Sequence, residues 1–244
     1  MFKLIVVAVF VTLSLVACSF KSLNSFSPPK LMSTDTPGVM LVYSESGSSG
    51  AKSIERILIT EKVMRIDAGP SHDDYTLFDR INKTLFIVSG KEMQVNVIPQ
   101  KTVVIPPGFP INWSVESQTS HAVMRNSAAN DSASATHHHF KMNQIPCYDT
   151  VVVNSVTEDV LSALKAYRLA NAERKRTEHY QLENDLCRSA MEVFQPGHHL
   201  QYGFPIREWS AWGYQRFLVE YKQHIIFPNE LFILPDSYTQ TIRQ

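Results

Sequence analysis

Residues 38 to 106 contain the strongest pattern in the chain, a series of short segments rich in β-branched, aliphatic and aromatic residues. These segments are Met40–Tyr43, Ile54–Thr60, Val63–Asp67, Tyr75–Asp79, Leu85–Ser89 and Met93–Ile98. Between them, Gly69–Pro70 and Asn82–Lys83 are typical of chain reversals. Apolar and charged residues alternate in Val63–Asp67, which predicts a strand with one face in water. This part of the chain therefore predicts an antiparallel meander.

Two later segments have the spacing of amphipathic helices. Ser155 and Glu158 match a capping box, in which each side chain bonds to the backbone of the other residue. One apolar stripe consists of Val160, Leu161, Leu164 and Tyr167, and a second consists of Leu182, Leu186, Ala190, Val193 and Phe194. Pro196–Gly197 ends the second segment. We expect both helices to cover one face of the sheet, with a lid or a partner surface as the alternative.

The remaining segments complete a single predicted domain over residues 38–244. Residues 114–136 are rich in Ser, Ala and Asn and predict a flexible surface loop. After the helical region, further strands are predicted at Gly203–Trp209, Phe217–Tyr221, His224–Phe227 and Leu231–Leu234. The predicted fold class is α+β, a curved antiparallel sheet packed with two amphipathic helices.

The N-terminus has the composition of an export signal. Leu4 to Ala17 is apolar except for Thr12 and Ser14, and it is shorter than the roughly twenty residues that a transmembrane helix needs. The run Leu15-Val16-Ala17-Cys18 resembles the lipobox of bacterial lipoproteins. The resemblance implies cleavage after residues 1–17, lipidation of Cys18 and a membrane-anchored protein facing the periplasm. Residues 18–37 then form a lipidated tether.

The residue after the cysteine bears on sorting. In lipoproteins, Ser19 in place of Asp implies transfer to the outer membrane, and the outer leaflet of the inner membrane is the alternative. Lipidation of Cys18 leaves Cys147 and Cys187, which an oxidising periplasm would allow to form a disulfide. Such a bridge would stabilise the fold by roughly 3–4 kcal/mol, but two buried free thiols remain the alternative.

A second resemblance concerns the fold. Residues 203–208 (Gly-Phe-Pro-Ile-Arg-Glu) and 228–238 resemble the closing strands of uncharacterised envelope proteins related to the outer-membrane lipoprotein-sorting carriers. The resemblance implies an incomplete antiparallel barrel curved around helices. Its concave face could hold a lipid or another hydrophobic ligand. The candidate ligand-binding residues are Met64, Ile66, Phe78, Phe86 and Val88, which are equally compatible with an ordinary core.

Charge and motifs exclude several function classes. The chain has 23 cations and 23 anions, and removal of residues 1–17 takes only Lys3, so the balance does not favour binding to nucleic acid. No catalytic or cofactor motif is recognisable. In an extended strand, consecutive His137, His138 and His139 would point to alternate faces, so we predict a solvated polar stretch rather than a metal site there. We predict the same for His198 and His199.

The sequence thus predicts a non-enzymatic lipoprotein without a cofactor. Its expected partners are the membrane, through the lipid anchor, and a hydrophobic small molecule used in envelope maintenance. The alternative is a scaffold that binds an envelope protein, which an exposed patch of Trp113, Trp209 and Trp212 would favour. An enzyme is the third class considered.

Overall fold

The structure is a computed structural model that describes residues 28, 35–70, 73–101, 105–120, 134–177 and 185–243. The predicted signal peptide and the lipidation site at Cys18 lie outside the described residues. The predicted tether lies mostly outside them as well. Its last three residues belong to the folded domain, because the first strand begins at Asp35 rather than after Pro37.

Twelve strands form one sheet in the order β12-β6-β5-β4-β3-β2-β1-β11-β10-β9-β8-β7. The bounds are β1 Asp35–Ser46, β2 Lys52–Ile59, β3 Val63–Asp67, β4 Tyr75–Asp79, β5 Thr84–Ser89, β6 Gln94–Pro99, β7 Trp113–Ser120, β8 Ala135–Met142, β9 Ile145–Val153, β10 Phe204–Ser210, β11 Gln215–Pro228 and β12 Thr239–Ile242. Neighbouring strands are antiparallel, except that β12 runs parallel to β6. Strand β11 lies between β1 and β10 and so joins the two halves of the sheet.

The predicted fold class is wrong. The described residues form a predominantly β protein with an open, mixed sheet, whereas we expected an α+β protein with an incomplete antiparallel barrel and two amphipathic helices. Two features cause the difference. Strand β12 adds a parallel pair at one edge, and the second helical segment is too short to form a layer of its own.

The meander of β1 to β6 is confirmed, but the prediction of a wet face is not. Every residue of β3 is buried, including Arg65 and Asp67. These two side chains form an ion pair with each other, and Leu231 lies above them and accepts a hydrogen bond from Arg65 through its carbonyl. The meander is therefore covered on both faces, and its charged residues are paired inside the protein.

Helix α1, Glu158–Thr177, covers one face of the sheet. Val160 and Leu164 pack into the core on this face, and the ring of Tyr167 meets that of Phe78 edge to face at 6.1 Å. The helix begins at Glu158, so Ser155 does not cap it as predicted. It extends to Thr177, beyond Tyr167, the last residue of the predicted apolar stripe.

The second helical segment consists of α2, Leu186–Ser189, followed by one π-helical turn, Ala190–Phe194. Its predicted first residue, Leu182, lies outside the described residues. The side chain of Asp185 caps α2 by accepting a hydrogen bond from the amide of Arg188 at 3.0 Å. This segment packs on β9 through a core of its own.

The last part of the chain differs from its predicted strands in two places. The segments Phe217–Tyr221 and His224–Phe227 belong to one strand, β11, in which His224 has a φ of 55°. The predicted strand at Leu231–Leu234 is wrong, because Asn229–Phe232 forms a 3₁₀ turn. This turn buries Phe232 against Phe227 on the face of the sheet opposite α1.

The Ser-rich segment is a loop only in part. Trp113–Ser120 forms β7, an edge strand paired with β8, and β8 begins at Ala135. Residues 121–133 lie outside the described residues. Composition favoured a loop, but β8 supplies a full set of backbone partners and overrides it.

Candidate functional site

A cavity of about 530 Å³ lies between the sheet and the two helices. Its lining is unusually rich in charged and aromatic side chains. The charged ones are Glu45, Glu55, Arg168, Lys175, Asp185, Arg188, Glu192 and Arg216, and the aromatic ones are Tyr148, Tyr167, Trp212 and Tyr214. We call this space the charged cavity. Its size lies in the range of pockets that bind small molecules.

A row of polar residues crosses adjacent strands, starting in the lining of the charged cavity with Glu45 and Arg216 and continuing behind it with Glu208 and Thr150. Arg216 on β11 is directly opposite Glu45 on β1 and Glu208 on β10. Glu208 is in turn opposite Thr150 on β9. Residues directly opposite each other in antiparallel strands share a face, so the register brings these side chains together on the side of α1.

Glu208 is the centre of this row and is completely buried. Its carboxylate accepts a hydrogen bond from the Tyr148 hydroxyl and lies 3.3 Å from Arg168 Nη2 and 3.5 Å from Arg216 Nη1. Burial alone would raise the pKa of this carboxyl. The two arginines and His199 outweigh burial and hold the pKa well below its usual range, so Glu208 is ionised.

His199 lies beside Glu208 and is also buried, with 1% of its side chain exposed. Its Nε2 is 3.1 Å from Glu208 Oε1, and its Nδ1 has no hydrogen-bond partner in the described part of the chain. Burial, assisted by the charge of Arg168, lowers the pKa of His199 to about 4. The imidazole is therefore neutral at pH 7, and the prediction of a solvated polar stretch is wrong at this residue.

Two further carboxylates form the sheet side of the charged cavity. Glu45 accepts a hydrogen bond from the Tyr214 hydroxyl at 3.0 Å, and Glu55 accepts one from Arg216. Their side chains are 23% and 25% exposed. Burial and the charge of Glu55 raise the pKa of Glu45. This side of the cavity thus holds more negative charge than Arg216 alone can balance.

The helical side of the charged cavity carries cations. Arg168 and Lys175 belong to α1, and Arg188 belongs to α2. Glu192 pairs with Lys175 and lies 3.1 Å from Arg188 Nε. The side chain of Arg168 is 28% exposed. With Asp185, the helical side of the lining has three cations and two carboxylates, whereas the sheet side has Glu45 and Glu55 against Arg216.

The turn between β10 and β11 supplies the aromatic wall. The amide of Gly213 donates to the carbonyl of Ser210 at 3.1 Å, and Gly213 has a φ of 86°, which favours glycine. This turn places Trp212 in a stacked arrangement with Tyr148, at 6.1 Å between ring centroids. Flat aromatic surfaces next to charged groups suit a ligand that has both apolar and polar parts.

The disulfide Cys147–Cys187 is confirmed, with the two Cα atoms 5.6 Å apart. Cys147 directly precedes Tyr148, and Cys187 lies on α2 next to Arg188. The bridge thus fixes the helical wall of the charged cavity to the sheet. The sequence predicts this attachment, because Cys187 lies beside the second apolar stripe and Cys147 precedes the predicted strand at Tyr148–Val153. It does not predict the cavity, because the lining residues come from distant parts of the chain.

The predicted ligand-binding residues do not share one surface. Met64, Ile66 and Phe78 belong to the core beneath α1, while Phe86 and Val88 belong to the core on the opposite face. All five are buried, and none lines the charged cavity. The arrangement corresponds to the alternative interpretation, in which these residues form ordinary core.

The consecutive histidines alternate between faces as expected. His137 Nε2 and His139 Nδ1 lie 2.8 and 2.9 Å from the same oxygen of Asp149. His138 points to the other face, 2.7 Å from Ser117 Oγ. In the part of the chain that the structure describes, no group of three or more His, Cys, Asp or Glu residues is arranged to hold a metal ion.

The tryptophans do not form one exposed patch. Trp113 donates to Gln195 at 2.6 Å, Trp209 packs on His137, and Trp212 lines the charged cavity. All three are only partly exposed. The observation that would favour a scaffold is therefore missing for these side chains.

Sequence reasoning missed the residues that line the charged cavity. Glu208 and Arg216 follow the alternation of ordinary strands, and Glu45 and Glu55 occur in polar segments that are typical of strand ends. The sequence feature that could have predicted these residues is a cation and an anion at inward-facing positions of neighbouring strands. That signal requires the pairing of β1 with β11, which local patterns do not reveal.

Comparisons with known proteins identify no family. No family model and no curated protein matches the chain. Among solved structures, PNGF-II in space group C2 has a TM-score of 0.42 at 7% identity, covering 85% of this chain and 31% of PNGF-II. The same protein in space group P2₁ has a TM-score of 0.40 at 7% identity, covering 85% and 32%. The chain therefore spans about a third of the length of the protein it matches.

No helix among the described residues has the length and apolar character needed to cross a membrane.

Proposed function

We propose that this protein is a lipoprotein, anchored through Cys18 and facing the periplasm, whose folded domain binds a small polar molecule. The observation that carries the binding role is the charged cavity of about 530 Å³. Buried polar groups usually find partners inside a protein. Here the Nε of Arg216, a residue of the cavity lining, is buried without a hydrogen-bond partner among the described residues.

The composition of the cavity favours a polar ligand over a lipid. Burying charged side chains against an acyl chain would remove their hydration without replacing it, which costs several kcal/mol per ion. The apolar residues that were expected to hold a lipid instead pack against each other in two filled cores. The expectation of a hydrophobic ligand therefore has no support from the placement of those residues.

We keep the binding role non-enzymatic, as the sequence predicts. Native mass spectrometry of the full protein, extracted gently from membranes, tests the proposal. We expect a polar small molecule bound at a ratio of one to one, and its loss in Trp212→Ala, because Trp212 lines the cavity without joining the buried ion pairs. Glu116→Gln, on the exposed surface of β7, is the matched control. A bound lipid, or no bound molecule, contradicts the proposal.

The anchor is tested separately. We expect labelled palmitate to enter the wild-type chain and not Cys18→Ser, and the variant to leave the membrane fraction. Retention of the variant in that fraction without label contradicts the anchor but leaves the binding role open to its own test.

A further inference from the structure

The charges of the cavity indicate the chemical class of its ligand, an inference that rests on the proposed function. On the sheet side, the guanidinium of Arg216 faces the carboxylates of Glu45, Glu55 and Glu208, and Arg168 adds a second positive charge beside Glu208. Two positive charges leave one of the three negative charges unbalanced in a site with restricted access to water. A cationic group of a ligand would complete this side of the cavity.

The carboxylates have free acceptor atoms for such a group. Among the described residues, Glu45 accepts one hydrogen bond, through Oε1 from Tyr214, and Glu55 accepts one, through Oε2 from Arg216. The remaining oxygens, Glu45 Oε2 and Glu55 Oε1, have no hydrogen-bond partner there. An ammonium or guanidinium group offers several donors, so it can bond to both carboxylates at once.

Arg216 provides an independent sign that the site is incomplete. Its side chain is 6% exposed and lines the charged cavity. Its Nε lies 3.0 Å from Glu45 Oε1, yet this contact lacks hydrogen-bond geometry, and Nε has no partner among the described residues. A buried donor without a hydrogen-bond partner is unfavourable, so the lining is incomplete at this residue.

The helical side offers the opposite charge. Arg168 has one hydrogen-bond partner among the described residues, Glu208 at 3.3 Å, and its guanidinium has five donors. Lys175 and Arg188 lie on the same side, around Glu192. A planar carboxylate or a phosphate accepts two parallel hydrogen bonds from an arginine, which suits the free donors of Arg168.

We infer that the ligand is a zwitterion of the amino-acid or short-peptide class. Its ammonium group lies between Glu45 and Glu55, and its carboxylate lies on the side of Arg168. The apolar part of such a molecule packs on the rings of Tyr148 and Trp212. A neutral sugar would leave the two charged sides unmatched, and a simple amine would leave the helical side unmatched.

The test uses the full protein after dialysis to remove bound small molecules. An equimolar mixture of the twenty common amino acids and, separately, a mixture of neutral hexoses are offered in native mass spectrometry. We expect a one-to-one complex with at least one amino acid and none with a hexose. Titration calorimetry then compares the best amino acid with its decarboxylated amine, and we expect the amine to bind at least tenfold more weakly.

Variants that remove one carboxylate charge each test whether Glu45 and Glu55 bind the ammonium group of the ligand. Glu45→Gln and Glu55→Gln each remove one charged hydrogen bond, so we expect about tenfold to a hundredfold weaker binding of the amino acid. Glu116→Gln, outside the cavity, should bind as the wild type does. A circular-dichroism melt of each variant separates lost binding from lost folding.

The outcomes distinguish this inference from the proposed function. Complexes with hexoses alone, equal affinity for the amino acid and its amine, or unchanged affinity in both glutamine variants would overturn the zwitterion. Each of these outcomes is still compatible with the proposed function, the binding of a small polar molecule. If the protein extracted from membranes carries only lipid and binds neither mixture, both the inference and the proposed function fail.

Discussion

Two buried carboxylates, each flanked by two arginines, show how the same chemistry can serve different ends in one sheet. Asp67 on β3 accepts hydrogen bonds from Arg56 at 2.8 and 2.9 Å, from Arg65 at 2.6 Å and from the amide of Gly69 at 3.0 Å. Glu208 on β10 has longer contacts to its arginines, at 3.3 and 3.5 Å. Only Glu208 adjoins residues with unpartnered buried nitrogens and a cavity.

From this difference in hydrogen bonding, we interpret the Asp67 cluster as serving stability alone and the Glu208 cluster as part of the proposed binding site. Burial raises the pKa of Asp67, but hydrogen bonds from Arg56, Arg65 and Gly69 more than compensate and lower it. All of these donors bond to the Asp67 carboxylate, so few acceptor positions of this carboxylate remain for a ligand. Around Glu208 the donors and acceptors are shared among more residues and are not all used. The proposed binding role rests on this incomplete pairing beside the charged cavity.

The largest effect is expected for Asp67→Asn, with a loss of about 3–5 kcal/mol in the free energy of unfolding. Arg56 and Arg65 have no second carboxylate among the described residues, so their charges would remain unpaired. Glu208→Gln should cost less, about 1–3 kcal/mol, because Arg216 keeps Glu45 and Glu55 and Arg168 faces the cavity. Urea unfolding at pH 7 measures both. The reverse order would contradict the contrast between the two clusters.

The disulfide should stabilise the cavity side of the molecule more than the meander. We expect Cys147→Ser combined with Cys187→Ser to lose about 3–4 kcal/mol, because the bridge closes a loop with a sequence separation of 40 residues. Hydrogen exchange should increase in α2 and in β9 near Tyr148 and change little in β3 and β4. Uniform protection changes across the sheet, or equal stability of the oxidised and reduced protein, would show that the bridge does not hold this wall.

Acid should weaken the Glu208 cluster before it affects Asp67. The pKa of His199 is lowered from 6.5 to about 4 in the folded protein, so the unfolded chain takes up the proton first. Above pH 6.5, protonation of His199 does not reduce the free energy of unfolding. As the pH decreases toward 4, this free energy falls, by about 2 kcal/mol between pH 7 and 5. Urea unfolding of wild type and His199→Gln at these two pH values checks this, with the variant losing less. Equal losses in both proteins would place the acid sensitivity elsewhere.

Local patterns predicted the meander because each of its strands pairs with a neighbour close in sequence. The bounds of Val63–Asp67 and Tyr75–Asp79 are those of β3 and β4. The same patterns misjudged which residues meet water. Arg65 and Asp67 alternate with apolar residues as a wet face would, but the turn after β11 folds back and covers them.

The candidate site was beyond prediction for a related reason. Glu45 and Arg216 are neighbours only because β11 pairs with β1 across most of the chain, and His199 is buried only because its 3₁₀ turn, His198–Tyr202, precedes β10. His198 and His199 have the same chemistry and adjacent positions, yet burial lowers the pKa of His199 to about 4 and has a smaller effect on that of His198. Tertiary packing, not residue type, decides such a difference.

The parallel pairing of β12 with β6 has a consequence for handling the protein. Without Thr239–Ile242, Gln94–Val97 would have no strand on the side that faces away from β5. An uncovered, straight sheet edge is a template onto which another molecule of the same kind can add. Shortening the chain before Thr239, or fusing a bulky reporter directly after Ile242, should therefore promote self-association at high concentration.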